Sequence, residues 1–217
     1  MPKPTYTDSH QARALFCQVI QGFHQRGWAL ATSTNFSFRM EPNAPVWITA
    51  SGRDKARLTP EDWLQVSLEG AALDAEAPKP SAETELHLDL YKQLPGTGAV
   101  AHTHSPAGTV LSRRWLEQGY VELEGFEMQK AFPGVKTHET LSRIPVVPNS
   151  QHMPDILATL HTLLQDPRFG DHPWASLPGY LIAGHGLYTW GADIHQAAHR
   201  IEALEFLLEC LLHEAGS

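Results

Sequence analysis

Apolar residues at Ala12, Leu15, Phe16, Val19, Ile20 and Phe23 fall on one face of a 3.6-residue period, behind the capping pair Asp8 and Ser9 and ahead of Gly27. The pattern predicts an amphipathic first helix. Short apolar runs at 36–40 and 46–49, on either side of Glu41-Pro42-Asn43-Ala44-Pro45, predict two strands joined by a turn. Thr59-Pro60-Glu61-Asp62 has a cap followed by proline, the signature of a short helix start. A further helix is predicted from near Ser81 through Leu86, Leu90 and Leu94 to the Pro95-Gly96 break. Gly98-Ala99-Val100-Ala101-His102-Thr103-His104-Ser105 then reads as a buried strand entering a loop.

Downstream, helical spacing is predicted at 106–116, at 126–131 with Pro133-Gly134 as its stop, and at 154–164, with a strand at 144–147. Apolar strands at 180–183 and 187–190 flank Gly184-His185-Gly186, a hairpin-like arrangement whose turn presents a histidine. In the closing helix Asp193 caps, Gln196 completes the cap, and Ile194, Ala197, Ala198, Ile201, Leu204, Leu208 and Leu211 form the buried stripe. No repeat is detectable, and the mixed order of helices and strands implies a sheet covered by helices.

Composition bounds this picture. The chain has 217 residues, 42% hydrophobic and 18% charged, enough for a sizeable core and without a linker-like stretch, so a single domain over 1–217 is expected. A formal net charge of −8 argues against non-specific nucleic-acid binding, which needs Lys and Arg to neutralise phosphates. A small phosphorylated substrate stays open, because backbone N–H groups and hydroxyls can hold one phosphate. Cys17 and Cys210 lie far apart on apolar-patterned helices and are expected to be free thiols of a reducing cytosol. Met1-Pro2-Lys3-Pro4 leads into polar residues without a signal-peptide pattern, and no apolar run approaches membrane-spanning length. These features predict a soluble cytoplasmic protein with no membrane partner.

The candidate chemistry starts at the histidine pair. Strand side chains repeat every two residues, so His102 and His104 face the same way, with Cα atoms roughly 7 Å apart. The simpler reading is two polar residues at a strand end; the strand context and the distant His185 favour metal ligands. Three imidazoles leave a position open for substrate or water, and zinc is the default ion for such a set. His195 and His199, four apart on the last helix, are a weaker rival pair, since the glutamate of a His-Glu-x-x-His motif is missing. His10, His24, His87, His138, His152, His161, His172 and His213 read as solvated or capping residues.

Taken in order, these segments resemble the class II aldolase superfamily, zinc enzymes acting on sugar phosphates, from about Ala14 to Leu212. The resemblance implies a three-layer α/β/α fold with a central, largely antiparallel sheet. It makes His102, His104 and His185 the ligands of one zinc ion per subunit. It places the substrate phosphate at Thr34-Asn35-Phe36-Ser37, Ser51-Gly52 and Pro80-Ser81-Ala82-Glu83, hence at Asn35, Ser51, Gly52, Ser81 and Glu83. Short hydroxyl-bearing and glycine-containing turns suit that task, and a helix start near Ser81 would add its dipole; the same residues also commonly shape turns and caps. Thr34 stands where many aldolases have glycine. Arg53 and Lys55 follow the second turn and are expected at the surface.

Members of the superfamily differ in their acid–base residue. The segment Phe126-Glu127-Met128-Gln129-Lys130, with Thr137-His138-Glu139 and Leu187-Tyr188-Thr189-Trp190-Gly191, resembles the dehydratase branch whose substrate is 5-methylthioribulose 1-phosphate. That resemblance implies Glu127 as catalytic acid/base with a pKa raised by partial burial, Lys130 as a substrate contact, and Glu83 as either a second acid/base or a group that orders the site. It implies formation of 2,3-diketo-5-methylthiopentyl 1-phosphate and water in methionine salvage by a homotetramer. The alternatives are an aldolase or pentulose-phosphate epimerase acting on another sugar phosphate, and a non-catalytic interaction protein, a class whose members lose the metal ligands.

Overall fold

The computed structural model describes residues 6–215; the opening Met1-Pro2-Lys3-Pro4 lies outside them. The chain divides into two compact units, one built from 1–103 with 190–198 and the other from 104–189 with 199–217. Each is α/β.

In the first unit, α1 (Ser9–Gln25) begins where the Asp8 carboxylate accepts from the Gln11 N–H at 2.9 Å. Its buried side includes Phe16 and Phe23. Strands β1 (Asn35–Phe38), β2 (Val46–Thr49) and β3 (Trp63–Val66) pair antiparallel in the order β3-β2-β1. After α2 (Thr84–Gln93), β4 (Ala99–Thr103) pairs antiparallel with the other side of β1, with Asn35 opposite His102 and Ser37 opposite Val100. Alternation along β1 gives each face its role. Phe36 and Phe38 meet Phe16 of α1 at ring distances of 5.6 and 6.4 Å, and Trp63 closes that aromatic core at 5.5 Å. Asn35 and Ser37 point to the opposite face, toward α2.

The second unit holds α3 (Pro106–Arg114), β5 (Tyr120–Leu123), β6 (Ser142–Val147), α4 (Met153–Leu163), α5 (Pro173–Ser176), β7 (Gly179–Ile182), most of β8 (Gly186–Gly191) and most of α6 (Ile194–Ala215). β5–β6 and β7–β8 are antiparallel, whereas β6–β7 is parallel. Leu111, Ile144, Val146, Leu181, Leu204 and Leu208 are buried in this core. The α6 cap is reciprocal: the Gln196 N–H donates to Asp193 at 2.8 Å, and the Ala192 N–H donates to the Gln196 side chain at 2.8 Å. Leu211, expected on the buried stripe, is half-buried.

Several elements differ from the sequence reading. β3 and β5 were not marked by the sequence pattern; each is defined by its antiparallel partner, β2 and β6. The helical pattern at 126–131 forms a 3-10 turn, Glu127–Ala131, closed by the buried Gln129 carboxamide, which donates to the carbonyls of Leu123 and Thr140. Pro133 leaves no room to extend it. Helix α2 starts at Thr84 rather than Ser81, because Pro80 is held in a β-bridge to Ala50. Cys17 and Cys210 are free, the first buried and the second half-buried. Among the described residues, no helix is long and apolar enough to cross a membrane.

Candidate metal centre

His102 sits wholly buried near the end of β4, and the imidazole of His104 follows two residues on. Helix α3 fixes the third histidine through its backbone. The Thr109 hydroxyl donates to the His185 carbonyl at 3.2 Å, and the Gly184 N–H donates to the Ser112 hydroxyl at 3.0 Å. Gly184 has φ 66°, a left-handed turn that delivers His185 between β7 and β8. The rings of His104 and His185 then meet edge to face, 4.5 Å apart.

The nitrogens offered by His102, His104 and His185 all lie within 4.8 Å of one another, the single group of three or more such ligands among the described residues. Three borderline-soft imidazole donors, one of them inaccessible to water, suit a transition-metal ion rather than calcium or magnesium. The rival His195 and His199 enter no such group.

Around His102 the first unit builds a polar surround. Glu83 Oε2 lies 3.4 Å from His102 Nε2 and accepts from the Asn35 amide at 2.8 Å. The same amide donates to the Ser81 hydroxyl at 3.1 Å. Asn35 Oδ1 faces His87 Nε2, and His87 Nδ1 meets the Ser37 hydroxyl at 2.7 Å, which in turn meets the Tyr91 hydroxyl at 2.9 Å. His87, expected to be solvated or capping, is therefore a buried member of this network; desolvation pushes its pKa down to about 4. The signal for it was the spacing Glu83, His87, Tyr91, which stacks three polar groups one turn apart.

The three segments expected at the phosphate converge within the first unit. Asn35 bonds Ser81, and the Ser51 N–H donates to the Lys79 carbonyl at 3.0 Å. Thr34 has φ 68° and Gly52 φ 74°. The glycine that many aldolases carry at position 34 matches this left-handed backbone, which a β-branched residue rarely adopts. Lys55 corrects a second expectation. It is 1% exposed, its ammonium donates to the Arg53 carbonyl at 2.8 Å, and burial lowers its pKa to about 8. Arg53 is exposed and pairs with Asp62 at 3.4 Å.

Glu127 is exposed, 70% by side chain, so the expected pKa rise is reversed. The Lys130 ammonium hydrogen-bonds its Oε1, and His138 lies 3.7 Å from Oε2; together they hold the carboxyl below its usual range. Lys130 is thereby engaged with Glu127.

An open α/β architecture with antiparallel pairing and a three-histidine cluster defines the class. The chain belongs to the Class II Aldolase and Adducin N-terminal domain family, which matches residues 14–212. Within it, the chain is 46% identical over 193 residues to a methylthioribulose-1-phosphate dehydratase of Sorangium cellulosum, covering 89% of this chain and 87% of that protein. It is 47% identical over 199 residues to the protein of that name from Xylella fastidiosa, covering 92% and 87%. Among solved structures, L-fuculose-1-phosphate aldolase from Thermus thermophilus superposes with a TM-score of 0.71 at 26% identity, covering 94% of each chain.

Proposed function

We propose that the protein is a metal-dependent hydro-lyase that dehydrates 5-methylthioribulose 1-phosphate to 2,3-diketo-5-methylthiopentyl 1-phosphate in methionine salvage. The observation carrying this reading is the 46% identity across 89% of the chain to a relative named for that activity. His102, His104 and His185 would hold one zinc ion per subunit, which when bound supplies a Lewis acid for the substrate carbonyl. Ser51, Gly52 and Ser81 supply hydroxyl and N–H donors for the phosphate. Glu127 enters as a carboxylate, kept ionised by Lys130, and takes the C3 proton. It then returns that proton to the departing C4 hydroxyl, so one water leaves and the enol becomes the diketone. The single family match running through both compact units supports one class II aldolase-like domain over 1–217. The resemblance to the family supports a cytoplasmic homotetramer, which sedimentation of the purified protein tests; a one-chain mass would reject it.

The test incubates purified protein with the methylthio substrate and follows diketone formation. Turnover should vanish on chelation and return with zinc. Glu127→Gln should lower it by about 100-fold or more while the metal content stays unchanged. Carbon–carbon cleavage products or an epimer in place of the diketone would overturn the dehydratase reading, and near-wild-type turnover of Glu127→Gln would overturn the role of Glu127.

A further inference from the structure

The polarity of the buried network beside His102 is fixed by its chemistry. The Asn35 side chain turns its N–H2 group toward Glu83 Oε2 and the Ser81 hydroxyl, both of which accept from it. Asn35 Oδ1 then faces His87 Nε2, which must carry the proton. A neutral imidazole with that tautomer leaves Nδ1 as an acceptor, so the Ser37 hydroxyl donates to it. The oxygen of Ser37 is left to accept from Tyr91. Reversing any one bond would set two acceptors or two donors face to face at the next. Both amide hydrogens of Asn35 are also taken, by Glu83 and Ser81, so its side chain has no further donor to offer a phosphate.

We propose that Tyr91, Ser37 and His87 form a positioning relay that locks the Asn35 carboxamide with its N–H2 toward Glu83, and so fixes that carboxylate beside His102. The relay is built into the fold. Ser37 and Asn35 are on one face of β1, and Glu83, just before α2, stands with His87 and Tyr91 of α2 at successive turns above them. It assigns Asn35 to holding Glu83, a task distinct from the phosphate contact that the family motif implies. His87 meets Asn35 and Ser37 and acts through Asn35. The functional consequence rests on the reading of His102 as a ligand and of the protein as a dehydratase.

The tautomer is directly readable. In protein labelled with 15N-histidine, the resonance lost in His87→Gln should be a neutral imidazole, protonated at Nε2, that keeps this form across roughly pH 6 to 8. An Nδ1-protonated or cationic ring at neutral pH overturns the relay. In kinetics, His87→Leu removes the donor to Asn35 and should lower kcat by about tenfold or more with KM little changed. His87→Gln restores an N–H at the same place and should recover most of the loss, with metal content per chain unchanged in both. Equal losses in the two variants would leave a merely structural role and overturn the proposal. Should His87→Leu fail to fold, Ser37→Ala keeps the ring and removes the hydroxyl that sets it, and the resonance should then show a mixture of tautomers; an unaltered spectrum overturns the relay. If wild-type protein fails to turn over the methylthio substrate, the dehydratase reading falls, while the tautomer still decides the relay.

Discussion

A buried neutral histidine makes stability depend on pH in a calculable direction. His87 titrates near pH 4 when folded and near 6.5 when unfolded. Between those values the unfolded chain binds the extra proton, so the stability fully present above about pH 6.5 falls as pH drops and is lost by about pH 4. The shift corresponds to a loss on the order of 3 kcal/mol. Urea unfolding of metal-free protein at pH 7 and pH 5 should show the drop, and His87→Gln should flatten it; equal slopes in the two proteins would reject the assignment. Lys55 follows the same sign at higher pH, so at neutral pH its buried ammonium costs folding energy. Lys55→Met should stabilise by up to about 3 kcal/mol at pH 7, and the gain should shrink between pH 8 and 10.5 as the unfolded lysine alone keeps its proton. Paired unfolding curves at the two ends of that range check it. The burial of Lys55 was not visible in the chain, since it sits among Arg53 and Asp54; for His87 the spacing with Glu83 and Tyr91 marked a polar stack, but its burial comes from Ser37 of β1 beneath it. The clustering of His102, His104 and His185 was legible because a strand period and a glycine turn set their geometry locally.

At the level of elements, two glycines hold the histidine-bearing segments in different ways. Gly98 precedes β4, and a Cβ there would lie 2.1 Å from the Ala192 carbonyl oxygen, a backbone atom that cannot swing aside. Gly184 has φ 66°, while its added Cβ would meet only the Arg113 side chain at 3.3 Å. Gly98→Ala should therefore cost about 3 kcal/mol as strain between backbones, and Gly184→Ala about 1 to 2 kcal/mol of conformational energy. Metal affinity should rank them oppositely, because Gly184 sets the direction of His185. Unfolding free energies and zinc titrations of both variants test the crossing, and a common ranking in the two measurements would refute it. Helices with full caps, such as α1 and α6, were legible nearly to the residue, since capping and apolar periodicity agree there. The four-residue β3 and β5 were not, because their pairing partners define them. The 127–131 segment has the composition of a helix but is closed early by Gln129, a tertiary choice that no local pattern carries.

For the whole molecule, the proposed role of the three-histidine cluster ties folding to metal. An ion that binds the native chain and not the unfolded one stabilises by an amount set by its excess over the dissociation constant, about 2.7 kcal/mol at a hundredfold excess. For a chain of 217 residues that corresponds to roughly 5 to 10 °C in the unfolding midpoint. Calorimetry of chelated protein, before and after zinc is restored to that excess, should show the rise. His185→Ala should abolish most of it, because two imidazoles remain and the coordination set drops to His102 and His104. The same substitution at His195, which joins no ligand group among the described residues, should leave the rise intact. The comparison also separates zinc at the cluster from zinc scattered over the chain's other histidines, since adventitious binding would survive His185→Ala unchanged. A wild-type midpoint indifferent to zinc would remove the metal from the folded state altogether, and with it the electrophile on which the proposed dehydration depends.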